Sequence, residues 1–179
     1  DITPFSTNVT IHHNEVYDIR VTNTGTGNSV PRGIRAGWGA GAATINDNNI
    51  HDLAGIGIQT SSSVNAAVTI TGNTIQNVVT GVSMEHAAGG SITGNTISAS
   101  GTGIQLGSAV GSAPTISGNT VQSPVLQFRD NANKVTMSTV FASNTWAPFS
   151  IVMGWDILVP GPVHNVTQGT YFDTVQAAI

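Results

Sequence analysis

Two aspartates and the residues before them are the side chains whose types and spacing best suit chemistry. Asp18 and Asp52 each fall seven residues after the first isoleucine of a similar short phrase, Ile11 and Ile45, and Asn77 stands in the same place after Ile70. If the phrases stack on neighbouring coils, the two carboxylates lie about 5 Å apart. That distance suits a shared Ca²⁺ or acid–base work. Tyr17, His51 and Gln76 precede these three positions. The alternative is that Asp and Asn are there as turn formers, bonding their own backbone. Ala99 and Ser123 follow in the next phrases, and no Arg or Lys aligns beside the aspartate pair. The acidic run is therefore short, and no residue is assigned a catalytic role. His12 and His13 precede Asn14, with Asp47 level with His13.

A second group surrounds the long insertion at residues 21–33. Arg35 and Trp38 follow it, and Glu85 and His86 occupy matching positions two phrases on. A guanidinium for carboxylates and an indole for sugar faces would suit an acidic polysaccharide. The competing reading is a solvated loop with Trp38 packed at a corner.

The elements that must position these groups are written in a repeat. Ile70-Thr71-Gly72-Asn73-Thr74-Ile75 returns as Ile92-Thr93-Gly94-Asn95-Thr96-Ile97 and as Ile116-Ser117-Gly118-Asn119-Thr120-Val121. Looser copies begin at Ile11 and Ile45, and a decayed one at Phe141. Their asparagines, Asn14, Asn48, Asn73, Asn95, Asn119 and Asn144, are separated by 34, 25, 22, 24 and 25 residues. A period near two dozen residues, with one Asn each time, predicts a solenoid of stacked coils. Within a copy, Val68-Thr69-Ile70-Thr71 alternates with the period of a strand, and Gly-Asn turns the chain. A second short strand follows, as in Gly33-Ile34-Arg35-Ala36, Gly57-Ile58, Gly81-Val82-Ser83-Met84 and Gly103-Ile104-Gln105-Leu106. The six asparagines are expected to form one hydrogen-bonded column.

These Ile-x-Gly-Asn-x-Ile coils resemble those of the right-handed parallel β-helix, the pectin-lyase-like superfamily, and are most similar to repeat modules of microbial surface proteins. The resemblance implies an all-β, single-stranded solenoid of about six coils with a short C-terminal amphipathic helix. It covers residues 8–130 closely and 135–155 loosely. That superfamily spans polysaccharide lyases and hydrolases, phage tailspikes, adhesins and surface-layer proteins, so the fold leaves activity open.

Composition narrows the choice. Charged residues make up 8% of the chain, five Lys plus Arg against nine Asp plus Glu, for a net charge of −4. This gives no basic footprint for nucleic acid or anionic lipid, and no apolar run is long enough to span a membrane. With no cysteine, disulfides and thiolate metal sites are excluded. No cofactor is required, and Ca²⁺ is the one ion the carboxylates suggest. Phe172, Val175, Ala178 and Ile179 form an apolar stripe at helical spacing. Residues 1–163 are thus expected to form the β-helix, and residues 164–179 to resemble the opening of a following one. A capping helix on the chain's own coils is the alternative.

The expectation is a non-catalytic extracellular or cell-surface module (an adhesin, surface-layer or filament component) that stacks end to end with other copies or tandem domains. A lyase or hydrolase acting on an acidic glycan is the competing reading. A single long loop and one acidic pair fall short of the walled groove an enzyme needs. A tailspike, or an ice-binding protein using the Thr69, Thr71 and Thr93 face, are lesser alternatives.

Overall fold

The structure is a computed structural model that describes residues 8–20, 30–37, 41–61 and 66–147, with the backbone of short strands between 152 and 172. Alternating isoleucine and threonine build the first sheet. Its strands Val9–His12, Ala43–Asn46, Val68–Thr71, Gly90–Thr93 and Thr115–Ser117 stack in that order. Every pair is parallel, and the register sets Ile11, Ile45, Ile70, Ile92 and Ile116 in one column. Beyond each corner the chain enters a second stack. Glu15–Tyr17 pairs with Asn49–His51, which pairs with the start of Thr74–Ala87; that strand pairs with Thr96–Val110, whose start pairs with Thr120–Gln122. A third stack joins Arg32–Ala36, Ile56–Thr60, the latter parts of the two long strands, and Leu126–Asp130. Parallel strands joined by such crossovers wind right-handed. The chain is a right-handed parallel β-helix.

The interior is one continuous column of aliphatic side chains. Ile45, Ile50, Ile58, Ile70, Ile75, Ile92 and Ile104 are fully buried, and Phe128 fills the third-sheet position in Leu126–Asp130. Each such residue contributes up to about 1.5–3 kcal/mol, and each depends on the coil above and below to be covered at all.

Two corner columns take the left-handed backbone. Gly72, Gly94 and Gly118 have φ of +65°, +64° and +66°, and His13 and Asp47 hold the same place at 55° and 53°. The residue before the asparagine, rather than the asparagine, therefore makes this turn. The asparagine points inward instead. Asn48, Asn73, Asn95 and Asn119 are buried, and each side-chain amide from Asn14 to Asn119 donates to Oδ1 of the next at 2.8–2.9 Å. The backbone N–H of each donates to the same oxygen at 2.9–3.1 Å.

The last coil departs from the repeat. In place of a sixth strand on the first sheet stands the helix Met137–Ala142, which still delivers Asn144 to the column. It is the one helix among the described residues. Phe172, expected on a helical stripe, ends the strand Thr170–Phe172, which pairs antiparallel with Val163–Asn165. Val175, Ala178 and Ile179 lie outside the described residues.

Candidate functional site

The second corner brings the chemically capable side chains together. Asp18, Asp52 and Asn77 share φ near 50–58°, so they are the turn residues that leave the second sheet. This backbone turns their side chains outward, where they form a network along the stack. Asp52 Oδ1 accepts from Asn77 Nδ2 at 2.9 Å, and Asp52 Oδ2 lies 2.7 Å from His51 Nδ1. The other ring nitrogen of His51, Nε2, lies 3.3 Å from Glu15 Oε1 on the preceding coil. The Tyr17 and His51 rings stack with centroids 5.3 Å apart and planes within 4° of parallel, because the register pairs these two residues.

Hydrogen bonding to Asp52, and then to Glu15, raises the His51 pKa above its ordinary value, partly offset by desolvation. The same bond to His51, with that from Asn77, lowers the Asp52 pKa. Both are the expected signs for a hydrogen-bonded ion pair.

Beside this network lies an open hollow of about 610 Å³, lined by Tyr17, Asp18, Arg20, Asp52, Leu53 and Ala54. Arg20 was not aligned with the aspartates in the sequence, yet its Nε donates to Asp18 Oδ1 at 2.5 Å. Arg20 stands two residues beyond the Asp18 turn, within reach of its carboxylate, so a basic residue does lie beside the aspartates. Ala99 is likewise displaced from the expected column: it pairs with Val78, so Asn77 has no partner in the shorter fourth coil. Both Asp52 oxygens are engaged, and Asp18 is paired with a guanidinium. Among the described residues, no three His, Cys, Asp or Glu side chains converge as metal ligands.

The other group named from sequence is more dispersed. Ser83, not Glu85, stands level with Arg35, through Gln59. Glu85 lies two residues further on, accepting from Ser83 Oγ at 2.5 Å and Gln105 Nε2 at 3.2 Å. Arg35 Nε donates to Ser61 Oγ at 2.9 Å, and the His86 backbone N–H donates to Thr60 Oγ1 at 3.3 Å. Trp38 lies outside the described residues. The exposed His12 and His13 approach each other, Nδ1 to Nδ1, at 2.6 Å. Glu15 and Arg20 carry no repeat signature, so only the fold brings them to the site. Tyr17 and His51 were visible as the column preceding the aspartates.

Comparison with known proteins gives one match. No curated protein and no solved structure matches the chain. The model of the family described as periplasmic copper-binding protein (NosD) matches residues 3–150, and the chain belongs to that family.

Proposed function

We propose that this chain is a non-catalytic, rigid β-helix module of the periplasm or outer cell envelope, built to stack end to end and to present its sides to other envelope material. The observation that carries this reading is the state of the outer polar groups. Glu15, Asp18, Asp52 and Glu85 are each tied to neighbours on their own or adjacent coils rather than directed at a common point in space. A hydrolase or lyase requires an acid and a base converging on one bond. The family's periplasmic description supports the location.

The copper in the family's name is a separate matter: among the described residues no three His, Asp or Glu side chains converge to hold it, and His12 with His13 supplies only two. There is no thiolate in the sequence. Met84 is fully buried in the aliphatic column. The two nitrogens of His51 face carboxylates on opposite sides of the ring, so Glu15 and Asp52 cannot close on one ion with it. Copper retained through desalting in amounts equal to the protein would favour the copper reading instead.

Negative-stain images and light scattering of the purified chain test the module reading. Rods longer than one copy are expected, together with no release of unsaturated or reducing ends from polygalacturonate or alginate. Isolated particles that degrade either polymer would overturn it and restore the enzyme reading.

A further inference from the structure

The hollow beside Tyr17 has a recognition chemistry that the module reading leaves unused. We propose that it is a shallow binding subsite for neutral, hydroxyl-rich pyranose polymers. The inference rests on the module reading and gives one of its faces a ligand.

The first support is the aromatic ring. Tyr17 is 58% exposed although it is held in a fixed plane against His51. His51 is itself fixed by Glu15 and Asp52. A ring immobilised by a cross-coil network offers apolar area at little further cost in side-chain entropy. The lining also includes exposed Ala54 and the buried Leu53, and sugar C–H faces pack on apolar surface of the kind that Tyr17 and Ala54 expose.

The second support is the paired charge. Asp18 and Arg20 meet side by side at 2.5 Å on the rim, with side chains 55% and 75% exposed. A carboxylate beside a guanidinium presents acceptors and donors in one plane, an arrangement that adjacent sugar hydroxyls can bridge.

Charge balance then selects the ligand class. The two carboxylates lining the hollow are already partnered within the protein: Asp18 with Arg20, and Asp52 with His51 and Asn77. No guanidinium is held in reserve for a uronate. With Asp18 set against Arg20 and Asp52 against His51, Glu15 leaves the patch an acidic bias that disfavours anions. A small molecule would be poorly enclosed by so open a hollow, whereas a polymer lying across the coils gains contacts from several sugars.

Affinity electrophoresis of the intact chain tests this, in native gels cast with laminarin, hydroxyethylcellulose, dextran or polygalacturonate. Retardation by at least one neutral glucan is expected, with none by polygalacturonate. Tyr17→Ala and Arg20→Met should each weaken binding tenfold or more, while Thr115→Ala, exposed on the first sheet at the far end of the stack, should leave it unchanged. Tyr17→Phe keeps the ring and the stack and should retain most of the affinity, which separates loss of the platform from loss of the fold. Circular dichroism of each variant checks that the coils remain formed. The proposal is overturned if no neutral glucan retards the chain, if Tyr17→Ala binds as well as the parent, or if only polygalacturonate does so. Such a failure, with rods still seen by microscopy, would leave the module reading standing.

Discussion

His51 is the residue through which the first two coils communicate on the outer face. Its ring bridges Glu15 on the preceding strand and Asp52 on its own corner, while its face is covered by Tyr17. The raised pKa of His51 means that the folded chain binds this proton more tightly than the unfolded one. Its contribution is therefore complete below the ordinary value of 6.5 and is lost as pH rises through the raised value. Asp52 behaves oppositely. Its lowered pKa stabilises above the ordinary value of 3.8 and is lost as pH falls through the depressed one. The latch between the coils is accordingly strongest between these two ordinary values. Melts of the parent and of His51→Gln across pH should differ most in that window and converge at higher pH. A constant difference would mean that the ring acts only through stacking.

At the scale of the element, two kinds of glycine do different work, and substitution separates them. A Cβ on Gly81 would lie within 2.5 Å of the Gly103 carbonyl oxygen and closer still to Ile97 Cγ2. Gly33, Gly57 and Gly103 face similar obstruction, so this column admits the chain into the third sheet only without side chains. Gly94 has φ +64° and would place its Cβ no closer than 4.0 Å to the nearest atom. Gly94→Ala is thus expected to cost about 1–2 kcal/mol from the left-handed backbone alone. Gly81→Ala should cost about 1–3 kcal/mol from overpacking with rearranged neighbours. Denaturant melts measure both, and in a double-mutant cycle Ile97→Ala, which removes Cγ2, should partly offset Gly81→Ala but not Gly94→Ala. The asparagine column belongs to the same scale. Asn95→Ala removes the acceptor used by both the amide and the backbone N–H of Asn73, at 2.9 Å each. The Asn73 amide keeps the Ile45 and Thr71 carbonyls, so leaving its buried backbone N–H unpaired should cost about 1–3 kcal/mol.

For the whole molecule, stiffness follows from continuity. The hydrogen bonds of the asparagine column all run in one direction, from Asn14 towards Asn144, and the described strand pairs between Val9 and Trp146 are parallel. Any coil that docks at an end must match both the strand direction and the sense of this column, which favours another β-helix over an unrelated partner. Residues 164–179 are the segment proposed for such docking. Deleting them should shorten the rods seen by microscopy while leaving the circular dichroism of the coils intact. Rods of unchanged length would assign end contacts to another part of the chain.

The period of the asparagines, the inward isoleucines and the parallel stack were legible in the sequence because a solenoid repeats each environment, and each environment selects the same residue type. The pairing of the turn aspartates was not legible. Arg20 reaches Asp18 and Glu15 reaches His51 through the sharpness of one corner and the register of one strand pair, neither of which leaves a repeating mark. The helix in the last coil was hidden for a related reason: Asn144 kept its place while the segment before it changed conformation. Periodic burial is encoded residue by residue, so the sequence determined the cylinder. The hollow and its charge pairs depend on where non-repeating side chains meet across coils, and only the tertiary structure decided that.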